Sequence, residues 1–448
     1  METINSIQKM KILFIQPSQY TDTGDIWKSK LPWLPRMSLP QLAAITPEGI
    51  DSVIVDEYTE NINFDIDVDL VAISATTVQA PRAYKISEEF RRRGKKTIIG
   101  GIHASLLPDE VQNYTDSVII GEAEGLWNDV LTDLKYGTLK PRYKSEGKLD
   151  ITNIPAPNLS KLQLNKYKVQ FRPIQTTRGC PHNCDYCSVT KFFGKSYRHR
   201  SIEDIVKEIK DLNVKDIFFV DDNIAANPER AKALFKAITP LKISWISQCC
   251  MSIAYNDELL ELAQKSGCAN LMLGLESLSP QSLGSVNKSF NKVDDYYYVI
   301  DKLHRHGITV MGLMVFGFDY DDENVFEKTA NFMDEAKVDY PCYWILTPYP
   351  NTPLHQQLEA EGRIIERDWS KYDCSHVVYK PKLMSPETLQ EGYWYAFKKS
   401  YSVPSIIKRH TPNCFAMVKR LIDAFPVTIA QSYLFRQGAY NGHHPMMG

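Results

Sequence analysis

Residues 176–200 read TTRGCPHNCDYCSVTKFFGKSYRHR and place Cys180, Cys184 and Cys187 within eight positions. A closed structural zinc site takes four ligands. Three thiolates on one loop suit a cubane iron–sulfur cluster in which three irons are held and the fourth stays open to a substrate or cofactor. Zinc completed by His182 or His199 is the alternative, but His182 lies between two of the cysteines, an awkward place from which to reach a common metal.

The surroundings of the loop say what carries it. From residue 174 onward, short apolar runs alternate with helical patterns. Strands are expected at PIQTT (173–177), DIFFV (216–220), SWISQ (244–248), NLMLG (270–274), ITVMGLMVF (308–316) and PCYWIL (341–346). The first intervening helix, SIEDIVKEIKDL, opens on Ser201 with Asp204 three residues on, and Ile202, Ile205, Val206, Ile209 and Leu212 share one face. Six such repeats are two short of a closed (β/α) barrel, so a partial, TIM-like (β/α)6 barrel is expected. The cysteine loop follows its first strand, on the face where barrels of this kind place their chemistry.

Upstream, KILFI (11–15), SVIVD (52–56), DLVAIS (69–74), KTIIGG (96–101) and SVIIG (117–121) are brief and branched-rich, with APRAYKISEEFRRRG as a helix between the third and fourth. This alternation predicts a Rossmann-like parallel sheet covered on both faces, with ligands at the carboxyl ends of the strands. The α/β chain therefore divides into a Rossmann-like domain at 1–135, a Pro-, Gly- and Lys-rich linker at 136–173, a barrel at 174–375 and a helical extension at 376–448.

Over 448 residues the net charge is −2, which removes an electrostatic reason to expect nucleic acid. The longest apolar run, 308–318, is well short of a membrane span, and the first residues show no secretory leader. A cytoplasmic location is expected. The basic and apolar stretch VPSIIKRHTPNCFAMVKRLIDAF (403–425) packs on the barrel or lies on a membrane surface, the second option suiting a lipid substrate. Six further cysteines among the nine are scattered and read as buried small apolar residues.

C-x3-C-x2-C with an aromatic residue, Tyr186, before the last cysteine is the signature of the radical S-adenosylmethionine (SAM) superfamily, which this chain resembles. GGIHASLLPDE, IIGEAEGLW, FVDDNI, LGLES, MVFGFDYDD, LTPYPNTPL and DWSKYD narrow the resemblance. They are similar to the branch with an N-terminal cobalamin (B12)-binding-like domain, which includes hopanoid methylases and the anaerobic magnesium-protoporphyrin ester cyclase. The resemblance spans about residues 11–400.

It implies a [4Fe–4S] cluster on Cys180, Cys184 and Cys187, whose open iron is chelated by SAM. One electron then cleaves SAM to methionine and a 5′-deoxyadenosyl radical. An electron donor such as flavodoxin or ferredoxin follows from that need. Tyr186 matches the residue against the adenine. Asp221 and Asp222 match groups that meet the SAM amine, with helix capping as their other role. Glu276 matches a contact to the ribose or methionyl end, and Gln248 ends the preceding strand. Ser74, Thr76, Thr77, Gly100 and Gly101 are the residues implied to cradle a cobalamin tail. The D-x-H-x2-G loop that supplies a lower-axial histidine in many cobalamin domains is absent, DEYTEN standing in its place, and His103 follows a later strand and is not assigned to cobalt.

Asp319, Asp321 and Asp322 read as caps of the next helix, Cys342 or Tyr343 as lumen-facing, Thr347 to Pro350 as shaping the barrel mouth, and Arg198 to Arg200 as a basic knot. The expected activity is cobalamin-dependent methylation of an unactivated carbon in a small molecule or lipid. A radical cyclisation, oxidation or rearrangement is the second option, and a non-catalytic metal-binding module the third.

Overall fold

The computed structural model describes residues 10–29, 32, 34–167, 171–411, 432–440 and 444. Two compact units divide the chain: Met1–Val169 with Asp368–Ser370, and Gln170–Arg367 with Lys371–Gly448.

The first unit is built on β1 (Lys11–Gln16), β2 (Asp51–Asp56), β3 (Leu70–Ser74), β4 (Lys96–Gly100), β5 (Ser117–Ile120) and β6 (Arg142–Lys144). All pair in parallel in the order β2-β1-β3-β4-β5-β6. Parallel neighbours cannot be joined by a tight turn, so helices cross between them. One is Ala80–Arg92, which buries Ala83, Ile86 and Phe90 against Val71, Ile73, Ile99 and Val118. The chain reverses its direction across the sheet between β1 and β3, which creates a crevice at the carboxyl ends of those strands. The stretch read as a linker contributes β6, paired with β5 through Val118↔Arg142 and Ile120↔Lys144.

The second unit carries β7 (Arg172–Ile174), β8 (Thr177–Arg178), β9 (Arg198–His199), β10 (Asp216–Phe219), β11 (Ser244–Cys249), β12 (Cys268–Glu276), β13 (Thr309–Phe316) and β14 (Tyr340–Ile345). Six of these form a parallel sheet in the order β14-β13-β12-β11-β10-β7, with β7 and β14 as its edges. This is the partial (β/α)6 barrel expected. Between β10 and β11, Phe219, Phe235 and Trp245 stack inside the helical layer, each fully buried ring contributing roughly 1.5–3 kcal/mol. The helix Ile202–Leu212 begins as expected, with Ser201 Oγ accepting from the Asp204 N–H (3.1 Å).

Beyond the barrel, the helix Pro386–Ser400 packs on β14, where Tyr343 Oη lies 2.5 Å from Ser400 Oγ and Tyr401 Oη donates to the Pro341 carbonyl (2.8 Å). Val403–His410 and 432–440 are also helical. Residues 412–431 of the expected helical extension lie outside the described residues.

Candidate active site

The cysteine loop leaves the sheet after β7 and is closed at its base by the β8–β9 ladder, in which Thr177 pairs with His199 and Arg178 with Arg198. Its far side is pinned to the chain around residue 286. The Asp185 N–H donates to the Val286 carbonyl (3.2 Å) and Asn287 Nδ2 to Asp185 Oδ1 (2.8 Å). Cys180, Cys184 and Cys187 are all free and half-buried. The His182 N–H serves the Cys180 sulfur, and the Thr190 and Val189 N–H groups serve Cys187, at the start of the helix Ser188–Phe193. Burial pushes the Cys184 thiol up to about 11 and raises the other two. Metal binding therefore has to displace protons from them.

The donor set fits a cluster better than a zinc ion. Among the described residues, no three Cys, His, Asp or Glu side chains converge on a point one metal ion can occupy. In a cubane each thiolate takes its own iron. His182 lies flat on Phe290, ring centroids 3.8 Å apart, and His199 is exposed on its ladder.

The two aspartates after β10 part company. Asp221 is fully buried, accepting from the Thr176 N–H (2.7 Å), the Thr177 N–H (2.9 Å) and the Thr176 hydroxyl. Both its oxygens are thus spent at the root of the cysteine loop, which it positions, rather than on the SAM amine that the resemblance implied. Asp222 turns to the loop itself, accepting from the Gly179 N–H (3.2 Å), and its charge reaches Cys180 and Cys187. Burial raises both carboxyls to about 6. Gln248, near the end of β11, is exposed, while Ser247 and Cys249 on either side are buried.

Glu276 ends β12 after a register shift between Gly274 and Glu276, with its backbone in the left-handed region (φ +66°). A bulge of this kind re-aims a side chain, and here it directs the carboxylate onto Lys288. The two form a buried ion pair, and Tyr186 Oη completes the group, 3.4 Å from Lys288 Nζ. Gly274 makes room for it: a Cβ there would lie 2.5 Å from Glu276 Oε1 and 3.0 Å from Lys288 Nζ. Burial works against the Lys288 ammonium, and the Glu276 carboxylate beside it outweighs that cost and keeps it protonated. No sequence signal marked Lys288; it lies in a loop twelve residues past its partner.

Other candidates are structural. Asp321 accepts from the Gly317 and Phe318 N–H groups (both 3.0 Å) and shapes the turn after β13. Asp319 pairs with Arg363 and Lys382, and Asp322 accepts from the Asn324 N–H. Tyr343 packs against the C-terminal helix, Cys342 is buried, and Tyr349 Oη contacts Cys374 Sγ (3.2 Å). Arg200 is buried against Glu208 (2.6 Å) rather than offered to a ligand.

In the first unit, the β3 and β4 loops meet at the carboxyl edge. The Ala75 N–H donates to the Gly100 carbonyl (3.1 Å), and Gly101, at φ +96°, would place a Cβ 2.7 Å from the Ala75 oxygen. Ser74, Thr76 and Gly101 are partly exposed here, whereas Thr77 and Gly100 are buried. These small residues lie at the carboxyl ends of β3 and β4 next to the sheet's switch point, where ligands of such sheets bind.

Two family models cover these two sites: the radical SAM superfamily over residues 174–333 and the B12 binding domain over 43–131; a domain of unknown function, DUF4070, covers 352–426. The bacteriochlorophyllide d C-12(1)-methyltransferase of Chlorobaculum tepidum is 33% identical over 417 residues, 90% of this chain and 89% of that protein. The chain belongs to the B12-binding branch of the radical SAM superfamily. The bacteriochlorophyllide d C-8(2)-methyltransferase of the same organism is 28% identical over 92% of this chain and 94% of that protein. The structure of OxsB, a cobalamin-dependent SAM radical enzyme with aqua-cobalamin and SAM bound, shares the fold, with a TM-score of 0.70 at 14% identity over 95% of this chain and 72% of that one. This radical SAM protein is therefore an enzyme whose cofactors are a [4Fe–4S] cluster and SAM, and it carries a B12 binding domain. No described helix is long and apolar enough to cross a membrane.

Proposed function

We propose that the enzyme transfers a methyl group to an unactivated carbon on the periphery of a tetrapyrrole-type substrate. In this reading Cys180, Cys184 and Cys187 hold the cluster, while Tyr186, Asp222, Gln248, Glu276 and Lys288 surround SAM. Ser74, Thr76 and Gly101 cradle cobalamin, with the buried Thr77 and Gly100 behind them. The observation that carries it is the buried Glu276–Lys288–Tyr186 group adjoining the loop of three thiols, whose own imidazole, His182, is stacked on Phe290.

When bound, the cluster supplies the electron that splits SAM, and cobalamin carries the methyl group. The protein's own part is binding and orientation. Lys288 offers a fixed ammonium to the SAM carboxylate, and Glu276 and Asp222 offer acceptors to its ammonium and hydroxyls. Asp221 keeps the loop on the sheet. Both relatives described above methylate a bacteriochlorophyllide, which supports the substrate class. A low-potential electron carrier of the flavodoxin or ferredoxin kind suits the reductant.

The test is anaerobic incubation of the cluster- and cobalamin-loaded protein with SAM, a low-potential reductant and a bacteriochlorophyllide. Methyl transfer predicts 5′-deoxyadenosine and S-adenosylhomocysteine accumulating together with a methylated product. Deoxyadenosine with a cyclised or oxidised product would replace methyl transfer by the cyclase-like chemistry, and neither nucleoside would remove both.

A further inference from the structure

The step beyond this reading concerns a thiol that the cluster does not use. Cys250 follows β11, at the carboxyl end of the barrel. Along that strand Gln248 is exposed, Cys249 is buried and Cys250 is half-exposed, so alternation turns Cys249 into the wall and Cys250 to the other face. Asn223, which holds it, follows Asp222, whose carboxylate accepts from the Gly179 N–H next to Cys180, so the thiol lies at the same carboxyl edge as the cysteine loop.

Asn223 holds this thiol at two points. The Cys250 N–H donates to Asn223 Oδ1 (3.3 Å), and Asn223 Nδ2 donates to Cys250 Sγ (3.1 Å). A backbone N–H can only donate, so it fixes which end of the amide faces it and leaves the NH2 for the sulfur. The sulfur thus accepts from Asn223, and its own hydrogen must project in another direction. Burial pushes the thiol up to about 12, so at neutral pH it carries that hydrogen. It is neither a nucleophilic thiolate nor a ready iron ligand.

We propose that Cys250 is a hydrogen-atom donor to carbon radicals formed in the barrel that are not captured by methylation. The proposal rests on the radical SAM reading above. When no substrate is bound, cleavage of SAM leaves a 5′-deoxyadenosyl radical. Its C5′ takes the S–H hydrogen: a C–H bond forms, the weaker S–H bond breaks, and a thiyl radical remains on Cys250. One electron from the low-potential reductant and one solvent proton restore the thiol, so the cycle returns the protein intact and yields 5′-deoxyadenosine. A substrate radical left without a methyl donor is quenched the same way.

The thiol hydrogen exchanges with solvent, and this gives the test. Cluster-loaded full-length protein is incubated in D2O with SAM and dithionite, without substrate, and the deoxyadenosine is analysed by mass spectrometry. The wild type should yield deoxyadenosine carrying one solvent deuterium. Cys250→Ala and Cys250→Ser should lose most of that label, because the serine O–H bond is too strong to give its hydrogen. Unchanged labelling in both variants, or an unlabelled wild-type product, would overturn the proposal. Absence of deoxyadenosine from every protein would remove the radical reading itself, a distinguishable result.

A readout independent of turnover is the infrared S–H stretch of the cluster-loaded protein, with the Cys250 band assigned by its absence from Cys250→Ala. SAM added without reductant should shift that band; a band indifferent to SAM would overturn its placement beside the cofactor.

Discussion

Glu276 and Lys288 form a buried pair in which each charge depends on the other, so single and double substitutions separate stability from binding. Lys288→Met or Glu276→Gln alone leaves an uncompensated buried charge and should cost about 3–5 kcal/mol in urea unfolding. Combining them should recover much of that loss, while SAM affinity, read by equilibrium dialysis, stays low in all three. Asp221 calls for a different expectation. Asp221→Asn replaces one acceptor of the Thr176 and Thr177 donors by an NH2, which should cost about 1–3 kcal/mol and lower iron incorporation. Its effect on SAM affinity should come only through the lost iron. The sequence presented Asp221 and Asp222 as a pair facing one ligand. Successive residues leaving a strand point to opposite sides, so one went to the loop root and the other to the loop. Lys288 was illegible because its meaning lies in a contact made across a short helix and a loop, which no local pattern reports.

At the scale of elements, the branched-rich strands of both sheets were legible because most are buried on both faces and read as brief apolar runs, while the edge strand β2 alternates. β6 was not: RYK is three residues long, two of them exposed, and only its pairing with β5 defines it. The turn after β13 has a pH signature of its own. Burial raises the Asp321 carboxyl to about 6, against 3.8 ordinarily. The folded state therefore holds this proton more tightly than the unfolded chain does. The resulting stabilisation is full below about pH 4 and is lost as pH rises through about 6, a change of about 3 kcal/mol at 1.36 kcal/mol per unit. Denaturant midpoints measured across this window should show the wild type losing stability relative to Asp321→Asn as pH rises. A constant offset between the two would show that the carboxyl does not titrate there.

For the whole molecule, two parallel sheets each present loops at their carboxyl ends, and in the proposed reading the cluster with SAM depends on one sheet and cobalamin on the other. The cofactors should therefore be separable. Gly101→Val forces a branched side chain into a left-handed backbone and against the Ala75 oxygen. It should abolish the visible absorption of bound corrin while leaving iron content unchanged, and Cys184→Ser should do the reverse. The cluster loop was legible as chemistry from three cysteines alone, since spacing and position after the first barrel strand are both written locally. The proposed cobalamin cradle shows in the sequence only as small residues at strand ends, because a site made of backbone and absent side chains leaves little chemical signature. The most direct measurement is the Mössbauer spectrum of protein reconstituted with 57Fe, recorded with and without SAM. One iron of the cubane should change its parameters on SAM addition while the other three stay as they were. A spectrum indifferent to SAM, or a loop that retains zinc and no cubane, would contradict the account.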